Sequence, residues 1–140
     1  MEEVQRVKGN GIIVILRKDG IVDVLDNKEW KQQDTLESVK VDTSIMKKVI
    51  DGQPNRSLLI EVPSRYISRE ILSHYQSVEM GEAARVLLLN SFSAKVIGNL
   101  YLKLSKGKPN EAGRIVPAKL FTDKYKAVKW LLKTMEEQNK

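Results

Sequence analysis

The chain has 140 residues, 41% of them hydrophobic and 30% charged, the composition of a globular domain long enough to bury a core without disulfides or a metal. It has no cysteine and one histidine, which excludes thiolate zinc sites, iron–sulfur clusters and cysteine nucleophiles, and leaves His74 to carry any histidine chemistry. The net charge is +6, no apolar run reaches the ~18 residues of a membrane span, and Met1-Glu2-Glu3 lacks the basic-then-apolar start of a signal peptide, so one cytoplasmic domain over residues 1–140 is expected.

Residues 7–16, centred on Gly11-Ile12-Ile13-Val14-Ile15-Leu16, read as a strand. Asp19-Gly20 is a hairpin turn, because glycine accepts the positive φ such turns need, and residues 21–25 return as the second strand. Residues 26–34 are a polar loop, with Trp30 folded back on the sheet edge. Asp34 or Thr35 caps a helix that Leu36, Val39, Met46, Val49 and Ile50 mark out and Gly52 ends. Residues 57–62 form a short apolar strand stopped by Pro63. A strand–helix–strand order implies parallel pairing.

Tyr66 or Ser68 begins the next helix, with Ile71, Leu72, Tyr75 and Val78 inward. Residues 84–90 are the most continuous apolar strand, expected to be central and covered on both faces. Ser91 or Ser93 caps a helix on which Phe92, Val96, Ile97, Leu100, Tyr101 and Leu104 form the apolar stripe expected to face the core. Residues 105–110 are a basic loop. Residues 114–121 read as the last strand, placed at an edge because Pro117 cannot donate to a ladder. Thr122-Asp123 caps a final helix. The sum is an α/β sandwich of about five strands in a mixed sheet and about four helices.

Few residues carry a chemical signature. His74 stands mid-helix without a metal-ligand partner at helical spacing. Glu79 and Glu82 lie three apart, which a solvated face explains better than acid–base catalysis. Gly107-Lys108 is not a phosphate loop, since Leu102 stands at the upstream glycine position and Pro109 where Ser or Thr would hold magnesium. There is no glycine fingerprint after the first strand and no Gly-x-Ser-x-Gly elbow. No cofactor or metal is called for. Ser64 and Ser68 stand between a strand end and a helix start, where a phosphate would meet free N–H groups, although a plain N-cap explains Ser68 as well.

The charge is uneven. Residues 1–70 balance 12 Lys+Arg against 12 Asp+Glu, whereas residues 71–140 set 12 against 6. The excess is lysine, with only Arg85 and Arg114 in the second half, which argues against a nucleic-acid reader, since those draw on bidentate arginine.

The order of elements resembles a STAS-type domain, the fold of anti-sigma-factor antagonists, and more narrowly the small bacterial single-domain proteins of that group. Residues 57–62 match the strand before the regulatory helix. Residues 85–98, with Val-Leu-Leu-Leu-Asn-Ser and then Ala-Lys-Val-Ile-Gly-Asn, resemble the next strand and helix, and residues 119–131, with Phe121, Asp123 and the Ala127-x-x-Trp130-Leu131 ending, resemble the closing pair. The resemblance implies a non-enzymatic regulatory module that docks a protein partner near the start of the second helix. It places Ser68 on the phosphoacceptor, with Ser64 and Arg69 beside it. The Asp that precedes the acceptor in phosphorylated members is absent, and Arg69 and Glu70 occupy the small turn that follows it there. The same superfamily includes lipid-transfer domains, but the apolar stripes here are needed for the core and leave no room for a large cavity. A homodimer is compatible with this reading. The alternatives are a binder of a nucleotide or anionic lipid head group through Lys103, Lys106, Lys108 and Arg114, and a hydrolase built around His74.

Overall fold

The structure, a computed structural model, describes residues 2–139. Three strands open it as an antiparallel meander: β1 (Glu3–Lys8), β2 (Ile12–Arg17) and β3 (Ile21–Asp26). The Asp19-Gly20 turn joins β2 to β3 as expected. Gly20 has φ 89° and donates its N–H to the Arg17 carbonyl at 2.9 Å, a conformation that a Cβ would strain.

The sheet has six strands rather than about five. The expected first strand over residues 7–16 breaks at Gly9-Asn10-Gly11, so that Val7 pairs back on Val14. The break is held from outside: Asp42 accepts the N–H groups of Asn10 at 2.7 Å and Gly11 at 3.2 Å. A Cβ on Gly9 would stand 2.6 Å from the same carboxylate. Trp30 sits over this turn, near Gly11.

The rest alternates. Helix α1 (Leu36–Ile50) leads to β4 (Ser57–Glu61), α2 (Arg69–Ser77) to β5 (Ala84–Leu88), and α3 (Phe92–Ser105) to β6 (Ala118–Phe121), before α4 (Lys124–Gln138) closes the chain. Strands β3 to β6 are parallel, and all six lie in the sheet in chain order. The caps fall on Thr35, Ser68, Ser91 and Asp123. Strand β6 is an edge, as Pro117 required, but it starts only after that proline, whose carbonyl accepts the Arg85 N–H at 2.9 Å. Residues 114–117, expected in the strand, lie outside it and follow a turn at residues 111–113, where the Asn110 side chain accepts the N–H groups of Ala112 and Arg114.

Because right-handed crossovers between successive neighbours all fall on one side, α1, α2 and α3 share a face of the sheet. Leu58, Ile60 and Leu87 point into that layer with Met46, Ile50 and Leu72. Their strand neighbours Leu59, Val86 and Leu88 point the other way, to Ala127, Leu131 and Met135 of α4. This strict alternation is what a sheet covered on both faces demands.

Candidate functional site

The carboxyl ends of the parallel strands carry the segments of interest. After β4 the chain runs through Ser64-Arg65-Tyr66-Ile67-Ser68 into α2. Arg65 is clamped, its Nε donating to Asp34 at 2.7 Å and its Nη1 to Asp26 at 2.6 Å. The Ser64 hydroxyl lies 2.7 Å from that of Ser91, the N-cap of α3. Ile67 packs on the core. With both neighbours held, Tyr66 projects outward and is 79% exposed. Ser68 is the N-cap of α2, its Oγ accepting the Ile71 N–H at 3.2 Å. Arg69, the next residue, is exposed.

Helix α3 follows only half of its expected stripe: Ile97, Tyr101 and Leu104 face the core, and the other three do not. The expected stripe would bury Phe92, Val96 and Leu100, yet Phe92 is 81% exposed, Val96 53% exposed, and Leu100 faces solvent with them. The buried positions are Ala94, Gly98 and Tyr101. Two causes fix this rotation. A Cβ on Gly98 would come within 2.8 Å of the Leu89 side chain and 3.4 Å of Leu120, so the helix lies against β5 and β6 by its small residues. Tyr101 is then held inward by Arg85, which donates to its hydroxyl. Ile97, Leu102 and Leu104 pack against the core beside Tyr101, and Phe92, Val96 and Leu100 are left on the outside.

Arg85 organises the interior around that point. Its Nη1 also donates to the Tyr75 carbonyl at 2.9 Å, and its Nη2 to Glu82 at 2.7 Å. Glu82 is 0% exposed. The expectation of a solvated acidic face at Glu79 and Glu82 therefore does not hold: an arginine takes each carboxylate. Burial raises the Tyr101 hydroxyl above the usual phenol range, against the pull of Arg85.

Arg114 forms a two-pronged pair with Glu79, at 2.6 and 2.7 Å, and donates to the Glu82 carbonyl at 2.7 Å. It is committed to these partners and does not join Lys103, Lys106 and Lys108 in facing solvent for an anion. Those three follow the exposed side of α3 and the loop beyond it. The Arg114 hydrogen bonds hold the Glu79 carboxyl down at about 2, against 4.5 ordinarily. A carboxyl lowered in the fold adds stability above its unfolded pKa and loses it as pH falls to its folded one. Glu79→Gln is thus expected to cost about 1 kcal/mol near neutrality, at the upper end for a half-exposed pair. Urea titrations of both proteins should show that difference closing between pH 4.5 and about 2; a difference constant with pH would contradict it.

His74 joins α2 to α1, with Nε2 at 2.9 Å from the Thr43 hydroxyl. Burial, followed by the Lys40 charge, lowers its pKa. The distance suits a hydroxyl–imidazole dyad, but Thr43 is 2% exposed and its hydroxyl also donates to the Lys40 carbonyl. A nucleophile must reach its substrate, and this one is closed off. Among the described residues, no cluster of His, Asp and Glu is arranged to hold a metal.

A cavity of about 80 Å³ lies under α2 between Ile60, Ile71, Tyr75, Leu87 and Tyr101. Ligand sites usually enclose roughly 300 Å³ or more, so it does not hold a lipid. No helix among the described residues is long and apolar enough to cross a membrane. Compared with family models, with curated proteins and with solved structures, the chain finds no match.

Sequence reasoning found Ser68 as a cap and the solvent-facing lysines. It missed the outward turn of Phe92 and Val96, the projection of Tyr66 and the Arg65 clamp. The signal for the first was present in Ala94, Gly98 and Tyr101, small or ring-bearing positions at i, i+4 and i+7.

Proposed function

We propose that the chain is a non-enzymatic docking module of the STAS-like kind, engaging a protein partner through the outward faces at the starts of α2 and α3. The observation that carries this reading is the outward row on α3, with Phe92, Val96 and Leu100 in solvent beside the segment that presents Tyr66. Scattered exposed apolar side chains are ordinary, but several gathered on one helix face mark an interaction surface. Ser68 fits the role of a switch, because a phosphate on it would sit at the N-terminus of α2 next to Arg69, where backbone N–H groups and the helix dipole favour negative charge.

The test is photo-crosslinking in cells that express the protein. A crosslinking residue at position 66 or 92 is expected to capture the same partner, and one at exposed position 129 on α4 to capture none. Adducts no different at 66 and 92 from those at 129 would overturn the reading.

A further inference from the structure

The outward face of α3 has two halves. At about 100° per residue, Phe92, Val96 and Leu100 span about 80° of the helix surface, while Lys95 and Lys106 lie about 60° and 40° to one side of Phe92. Lys103 falls between the apolar side chains one turn further on. The opposite flank of the stripe is closed by α2, since Ile97 lines the cavity with Ile71 and Tyr75 of that helix. Residues 91–110 contain four lysines and no Asp or Glu. The face is therefore an apolar row with Lys103 set within it and Lys95 and Lys106 along one flank, and residues 91–110 add no acidic charge that would repel an anion.

We infer that the segment covering this face is an acidic amphipathic helix of the partner protein, lying along α3 with its apolar stripe on Phe92, Val96 and Leu100 and its carboxylates over Lys95, Lys103 and Lys106. This rests on the docking reading and specifies its partner. Charge complementarity selects an acidic occupant. The adjacency of apolar and cationic strips selects an amphipathic one, read at helical spacing as in other helix-in-groove contacts. The 14-residue helix α3 offers about 21 Å of length, enough for a partner helix of four turns. An anionic bilayer would also suit lysine and phenylalanine. A helix lying in a bilayer interface, however, presents basic side chains along a broad polar face with the apolar side free to sink, whereas here α2 closes one flank of the stripe.

The experiment uses the full chain labelled with 15N and three probes. One is a synthetic amphipathic helix with a leucine stripe and glutamates elsewhere, the second is the same peptide with lysine for each glutamate, and the third is vesicles of phosphatidylcholine and phosphatidylglycerol. The acidic peptide is expected to shift amide resonances over residues 91–106 and to bind at least about tenfold more tightly than the basic one, a difference of about 1.4 kcal/mol. Charge reversal by Lys95→Glu with Lys103→Glu should invert that preference, and Val96→Asp should weaken both peptides. These are exposed positions, so the variants keep the fold. An acidic peptide that leaves α3 unshifted, or a preference that survives the charge reversal, overturns the inference. So does sedimentation with the vesicles while the acidic peptide fails, which would assign the face to a membrane. If crosslinking at position 92 still captures a protein when the acidic peptide fails, the docking reading stands and only the partner's chemistry falls.

Discussion

Glu82→Ala is expected to destabilise the fold by about 3–5 kcal/mol, because it strands a buried guanidinium. Glu82 is fully enclosed and its Oε2 receives Arg85 Nη2 at 2.7 Å. Arg85 is itself buried, and its remaining bonds go to neutral oxygens of Tyr75 and Tyr101. Arg114, 3.7 Å from the other Glu82 oxygen, adds positive charge and cannot substitute for the lost anion. For a domain whose total stability is roughly 5–15 kcal/mol, the loss is severe. The double variant Glu82→Leu, Arg85→Met should recover much of it, since no charge is then desolvated. Urea denaturation at neutral pH measures both. A single-variant cost under about 1 kcal/mol would mean that the pair is not enclosed as described. The double variant should also loosen Tyr101 and with it the rotation of α3, because Arg85 donates to the Tyr101 hydroxyl.

Leu131→Ala is expected to cost about 2–5 kcal/mol through the cavity it leaves. Among the described residues, α4 is the helix that covers the second face of the sheet. It does so with Ala127, Leu131 and Met135, one per turn, against Leu59, Val86 and Leu88. Leu131 is the central and fully buried member. The neighbouring Leu132 is 37% exposed, so Leu132→Ala should cost clearly less, about 1 kcal/mol. Equal effects from the two leucines in a denaturant series would show that α4 does not pack in this register.

What the sequence disclosed follows from what its signals measure. Turn chemistry and caps are local, so Asp19-Gly20, Ser68, Ser91 and Asp123 were readable directly, and so was the apolar run of β5. Strand β1 was not, because an edge strand exposed on most of its length needs no apolar pattern; its EVQRVK sequence has only Val7 packed against the core. The rotation of α3 was misjudged because hydrophobic periodicity counts large side chains, whereas close approach to a sheet selects small ones such as Ala94 and Gly98. The pairs Glu79–Arg114 and Arg65–Asp34 join residues 35 and 31 positions apart, and nothing local to either residue signals them. The outward position of Phe92 and Val96 thus follows from the contact of Gly98 with Leu89 and Leu120, which no periodicity reports.

Each strand of the sheet lies beside the strand that precedes it in the chain. Register partners across the parallel pairs are separated by 36 positions at Ile21–Ser57, 27 at Ser57–Ala84 and 33 at Arg85–Ala118. No strand has to be threaded between two already joined. A chain emerging from the ribosome with its amino end first would supply each strand in the order the growing edge can accept it, and the last to arrive would be β6, after every other strand it depends on is in place.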